Sequence, residues 1–199
     1  MSMFRRRLLS IMPPAFVFNK ELVAGKNGNL YTPFIPGSET YDIPNNVTFR
    51  VTATIKAPDT VNGKCCILGG HTARVDLTPI LIIDGHYAYT TALDNIIITD
   101  YVFDSNWHTI DYFDNVKHII VYIDGIKVVD NILPPMERRI DVYYNGIRIF
   151  GYNDYGGKNY RFINMKGAGL LGPMNIYYND ILKVQFIPTE DNNIRRVLL

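Results

Sequence analysis

Between residues 46 and 55 apolar and polar side chains alternate. Val47, Phe49, Val51, Ala53 and Ile55 fall on one face, and Thr48, Arg50, Thr52 and Thr54 on the other. A period of two is that of a β-strand with one face buried. Further runs of strand character occur at 65–68, 74–83, 86–91, 96–102, 107–113, 117–123, 126–129, 139–144, 147–152, 162–172, 174–178 and 183–187. Asp84-Gly85, Asp124-Gly125, Asn145-Gly146 and Asn179-Asp180 punctuate these runs as two-residue hairpin turns. Thr78-Pro79 hints at a sheet edge or a bulge, because proline cannot donate to a ladder. Helical periodicity is confined to a turn or two within 4–11. Turn signals at roughly 8–12-residue intervals predict an all-β sandwich.

The first 37 residues differ from the rest. Residues 1–14 are basic and apolar and end in Pro13-Pro14, and 15–37 read as extended segments with a turn at Asn27-Gly28. Pro33, Pro36 and Gly37 mark a boundary, giving an N-terminal arm over 1–37 and a domain over 38–199. Residues 1–40 hold Arg5, Arg6, Arg7, Lys20 and Lys26 against Glu21 and Glu39, so they carry +3 of a formal net charge of +1 and the remainder carries −2. Arginine forks suit carboxylates of a partner, and Leu8, Leu9, Ile11 and Met12 supply apolar anchors. Arg5, Arg6, Arg7, Leu8 and Leu9 are therefore read as a protein-docking arm. Three arginines are few for nucleic acid or for an anionic membrane surface.

Composition narrows the class further. Hydrophobic residues make up 47% of the 199 and charged ones 20%, enough apolar matter for a substantial core. Aromatics reach 13%, with 14 Tyr and 10 Phe, which favours pleated, half-buried surfaces. The near-zero net charge gives no global field for nucleic acid. Cys65 and Cys66 are adjacent, so in a strand they point to opposite faces and are read as free thiols. No run approaches the ~18 apolar residues of a membrane-spanning helix. The apolar stretch after Arg7 is too short for a secretory leader, so no signal peptide is expected.

Catalytic chemistry finds little footing. The chain has four glutamates, Glu21, Glu39, Glu137 and Glu190, and none is spaced as the carboxylate pair of a glycosidase. His71, His86, His108 and His118 are not at metal-ligand spacing. Asp100, Asp104, Asp111 and Asp114 surround the strand that starts at Trp107, the only tryptophan. Calcium takes several such loop oxygens, but aspartate is equally at home in turns. No cofactor is expected, with calcium the one metal left open. The best candidate ligand surface is the loop holding Tyr152, Asn153, Asp154, Tyr155 and Tyr160, where aromatic faces suit sugar rings and amides or carboxylates suit hydroxyls.

Several pieces in order carry a resemblance. They are Asp42-Ile43-Pro44, Leu68-Gly69-Gly70, Trp107-His108-Thr109-Ile110, Tyr122-Ile123-Asp124-Gly125, Phe150-Gly151-Tyr152-Asn153, Ile176 to Asp180, and Val184 to Pro188. From about residue 38 to 199 the chain resembles the laminin-G-like, concanavalin A-like lectin family. The resemblance implies a jelly roll of two antiparallel sheets, with Trp107 a core anchor where one sheet packs on the other. The glycine-rich stretch from Ala168 to Pro173 departs from the family pattern. The late region looks similar to laminin-G-like domains of gut-bacteriophage virion proteins. That implies a non-enzymatic structural protein, located in the virion after synthesis in host cytoplasm and fixed to other virion proteins through 1–37. It also implies a multi-copy or homo-oligomeric assembly with no specific nucleic acid partner. The alternative is a carbohydrate-binding, lectin-like module that recognises host polysaccharide.

Overall fold

The computed structural model describes residues 14–18, 47–62, 64–70, 79–91, 95–115, 117–133, 147–149, 164–192 and 194–199. The described residues form fifteen strands in two main antiparallel sheets and a small ribbon. The larger sheet runs β10(Ile126–Ile132)-β9(His118–Ile123)-β8(Trp107–Asp114)-β2(Phe49–Lys56)-β13(Gly169–Tyr178)-β14(Ile181–Pro188)-β15(Ile194–Leu198), and β1(Phe16–Phe18) also pairs with β13. The smaller runs β11(Ile147–Ile149)-β4(Lys64–Gly70)-β5(Ile80–Ile83)-β6(His86–Thr91)-β7(Asn95–Val102). The ribbon pairs β3(Thr60–Asn62) with β12(Asn164–Lys166).

The alternation read from the sequence is the alternation of burial. β2 buries Phe49, Val51, Ala53 and Ile55 and turns Arg50, Thr52, Thr54 and Lys56 outward. Those four buried residues join Ile110, Tyr112, Val121, Met174, Ile176 and Phe186 of the same sheet and Ile67, Leu68, Ile80, Ile82, Tyr87 and Tyr89 of the other in one apolar cluster. Fully burying a large apolar side chain stabilises by roughly 1.5–3 kcal/mol.

Three of the hairpin turns fall where the sequence puts them. Asp84 and Gly85, Asp124 and Gly125, and Asn179 and Asp180 all have positive φ, the mirror-image geometry that matches strand twist. The last of these is tied to β2, since Thr48 N–H donates to Asn179 Oδ1 at 2.9 Å and Asn179 N–H to Thr48 O at 2.9 Å. Asn27-Gly28 and Asn145-Gly146 lie outside the described residues.

Three expectations change. Trp107 is half-buried on the outer face of the larger sheet, and its neighbour His108 points inward, 6% exposed. Period two forces this: Ile110 and Tyr112 face the core, so 108 shares their side and 107 cannot. Residues 162–172, read as one strand, divide between β12 and β13, and β13 runs on from Gly169 through Pro173 into 174–178 with a one-residue register shift between Leu171 and Met174. A bulge is where a strand tolerates proline's missing donor. Finally, residues 16–18, counted in the arm, form β1 inside the larger sheet, with Phe16 and Phe18 both fully buried.

That last pairing explains the unusual glycine. Phe18 stands opposite Gly169, and a Cβ at 169 would come within 2.2 Å of the Phe18 ring. Only glycine leaves room for the aromatic ring to lie over the strand. Val17 N–H donates to Asn192 Oδ1 at 2.6 Å, which ties β1 to the turn between β14 and β15.

Candidate functional site

The outer face of the larger sheet carries the most organised surface chemistry among the described residues. Cross-strand register places Tyr122, Asp111, Thr52, Asn175, Gln185 and Val197 in one rank across six strands. Gln185 Nε2 donates to Asn175 Oδ1 at 3.0 Å, and Asn175 Nδ2 donates to Thr52 Oγ1 at 3.3 Å. Each group holds the next in place, so the rank presents fixed donors and acceptors.

In the adjacent rank Arg50 stands between Phe113 on β8 and Tyr177 on β13. Its guanidinium donates twice to Asp111, Nε to Oδ1 at 2.8 Å and Nη2 to Oδ2 at 2.7 Å. It also lies 5.6 Å from the centre of the Tyr177 ring, within cation–π reach. The hydrogen bonds with Asp111 raise the Arg50 pKa above its ordinary value. At the far end of β2, Trp107 stands beside Lys56, and its ring lies 3.5 Å from where a Cβ on Gly172 would be. Aromatic rings thus bracket a polar centre along β2.

A second cluster sits at the sandwich rim. His108 faces carboxylates at both ring nitrogens, Asp124 Oδ2 at 2.7 Å from Nδ1 and Asp104 Oδ1 at 3.0 Å from Nε2. The Tyr101 hydroxyl is 3.0 Å from Nδ1 and donates to Asp124 Oδ2 at 3.5 Å. Burial pushes the Tyr101 phenol up to about 12, helped by the two nearby carboxylates. Burial also pushes the Asp124 carboxyl up, but Thr109 N–H, His108 and the Thr109 hydroxyl outweigh it and hold the carboxyl below its usual value. Asp104 is lowered chiefly by the Asn106 backbone N–H, 2.7 Å away. A register shift in β7 helps to place Tyr101, fastened by Thr99 Oγ1 donating to Tyr87 O at 2.9 Å.

This rim is structural. It ties the loop after β7 to the Asp124-Gly125 hairpin, and it accounts for the Trp-His and Tyr-Ile-Asp-Gly pieces seen in the sequence. Of the four aspartates weighed for calcium, Asp104 is engaged by Asn106 and His108, and Asp111 by Arg50. Among the described residues no three His, Cys, Asp or Glu side chains gather as a metal set. Cys65 is a buried free thiol that burial pushes up to about 12, which leaves it unreactive. Among the described residues no helix is long and apolar enough to cross a membrane.

The loop residues Tyr152, Asn153, Asp154, Tyr155 and Tyr160 and the arm residues Arg5, Arg6, Arg7, Leu8 and Leu9 all lie outside the described residues. The outer-face ranks were not singled out from the sequence. Their signal was present in the polar positions of each alternating strand, but assembling them needs the register that the hairpins and the β13 bulge set.

No protein-family model and no curated protein sequence matches the chain. Solved structures do. Domains LG4-5 of the mouse laminin α1 chain match with a TM-score of 0.52 at 14% identity, over 87% of this chain and 44% of that one. Trypanosoma rangeli sialidase in complex with the inhibitor DANA matches at 0.48 and 13%, over 66% and 20%. Botulinum neurotoxin type C, which interacts with two ganglioside molecules, matches at 0.44 and 11%, over 66% and 32%. The chain spans less than half the length of each, and none of the three is a virion protein. Strand order and the laminin superposition show the fold: a laminin-G-like, concanavalin A-like jelly roll of two antiparallel sheets.

Proposed function

We propose that this domain is a carbohydrate-binding module whose ligand lies along β2 on the outer face of the larger sheet. The supporting observation is the rank Asp111, Thr52, Asn175 and Gln185, bracketed by Trp107 at one end and by Phe113 and Tyr177 at the other. Sugar hydroxyls need donors and acceptors already aimed, and the interlocked amides supply them with little ordering cost. Aromatic rings give apolar sugar faces a surface to stack on. The loop holding Tyr152, Asn153, Asp154, Tyr155 and Tyr160 is proposed as a further contact for the same ligand.

The role is binding without turnover. Among the described residues the only glutamate is Glu190, exposed in the turn after β14, and the Asp111 carboxylate is occupied by Arg50. Paired-carboxylate hydrolysis has nothing to build on there. The test is calorimetric titration of the full chain with a panel of defined oligosaccharides. Asn175→Ala and Tyr177→Ala should each weaken binding tenfold or more with an unchanged circular dichroism spectrum. Failure of every glycan to bind at millimolar concentration would rule the reading out.

A further inference from the structure

Among the described residues each sheet ends on this side in a strand with a neighbour on one side only: β7 closes the smaller sheet and β10 the larger. Between these edges lies a groove of about 410 Å³. Ile97, Ile98, Val128 and Val129 supply its apolar lining, and Asp100 and Asp130 its carboxylates. At its wall the Asn131 amide donates to the Tyr89 hydroxyl at 3.0 Å.

Exposed apolar side chains stand on both strands. Ile98 is 53% exposed and Val102 57% on β7, and Ile126 is 65% and Ile132 78% on β10. An apolar edge with unpaired backbone groups invites an added strand. Asp130 is held by Lys127 on one oxygen and faces His118 Nε2 at 2.6 Å on the other, whereas Asp100 stands exposed on β7.

We infer that this groove receives residues 5–12 of a second copy of the chain as an added β-strand. The segment complements the groove in charge and in apolar pattern. Arg5, Arg6 and Arg7 complement the exposed Asp100, and Leu8, Leu9, Ile11 and Met12 match the apolar lining. In extended form Leu9 and Ile11 share one side and Leu8 and Met12 the other, so both faces of the strand are apolar. Pro13 and Pro14 end the pairing, because neither can donate to a ladder.

Reach separates a second copy from the same molecule. β1 lies on the flank of β13 away from β2, since Leu170 pairs with Val17 on one side and Lys56 on the other. Five strand spacings therefore separate β1 from β10, roughly 24 Å at ~4.8 Å each. Phe16 is level with Ile55, and Asp130 is level with Arg50, five residues along β2, a further ~17 Å at ~3.3 Å per residue. The straight diagonal is about 29 Å. Arg7, nine residues before Phe16, reaches ~30 Å only if drawn straight through the protein. A path around the surface is longer, so Leu8 and Leu9 of the same chain fall short.

The test is sedimentation of the full chain over a concentration series, with a fluorescent peptide of residues 1–14 titrated in parallel. The intact chain should self-associate and the peptide should compete. Ile98→Lys, and separately the triple change Arg5→Glu, Arg6→Glu, Arg7→Glu, should each weaken association at least tenfold with melting temperature unchanged. Adding Asp100→Arg to the arginine triple should restore association. A chain that stays monomeric at all concentrations overturns the inference, as does a peptide that binds wild type and Ile98→Lys equally. A monomeric wild type whose 1–14 truncation binds the peptide also overturns it, by assigning the groove to the chain's own arm.

Discussion

The sandwich has two flanks that solve the same problem differently. Where β13 begins, β1 lies along it, Phe18 covers Gly169, and Asn192 ties Val17 to the turn after β14. Where β7 and β10 end their sheets, no strand among the described residues is added, and Ile98 and Ile132 stand more than half exposed. At the first, the start of β13 is covered by a piece of the chain distant in sequence, while the sheet runs on through β14 to β15. The second is left with the backbone and apolar surface on which strands add. An apolar residue closing an edge contributes to folding; one left open on an edge contributes to whatever docks there.

The largest effect should come from removing the closure. Phe18→Ala deletes a fully buried ring whose partner is a glycine that cannot fill the space. Chemical denaturation should show a loss of about 3–5 kcal/mol. Gly169→Ala should fail in the same direction, because its Cβ would displace the Phe18 ring. If both variants melt as wild type does, β1 is not part of the folded sheet and the contrast between the flanks disappears.

A smaller loss is expected at the rim. Asp124→Ala removes the acceptor for Thr109 N–H at 2.8 Å and for His108 at 2.7 Å, at a cost of about 1–2 kcal/mol for charge-assisted hydrogen bonds at a partly exposed site. The pH dependence has a defined sign. Folding lowers the pKa of both Asp104 and Asp124 from 3.8. Their contribution is therefore present above about pH 4 and lost as the pH falls through the folded values. At the other extreme Tyr101 is raised from 10 to about 12, so stability falls again as the pH rises across that interval. Melting temperature measured from pH 2 to 12 should fall at both ends. In Asp124→Asn the acid limb should shallow, and a limb of unchanged slope would show that this carboxylate does not set it.

Much of the fold was legible because strand period and turn chemistry are local. Asp124-Gly125 fixes one hairpin, and the alternation from Val47 to Ile55 fixes which face of β2 is inside. What was not legible depends on residues far apart in sequence. Phe18 reads as part of an arm until Gly169, 151 positions later, is seen beneath it. Trp107 reads as core by size and rarity, yet the parity set by Ile110 puts it outside. The outer-face rank needed six strands in register, including a bulge at Pro173 that no local pattern announced. The rim was half visible: the Trp-His and Asp-Gly pieces were recognised, but not that His108 and Asp124 touch.

The smallest effect is the most discriminating. Ile98→Lys places a charge on an edge residue that is 53% exposed, so the stability of the isolated domain should change by no more than about 0.5 kcal/mol. Inward-pointing or edge lysines are a common guard against strand addition, and here the wild-type chain carries isoleucine instead. Guarding the edge would therefore cost the fold almost nothing. If Ile98→Lys is silent in denaturation but abolishes self-association, the open flank is a binding surface and the closed flank a folding one. If it destabilises as Phe18→Ala does, Ile98 belongs to the core and both flanks serve folding alone.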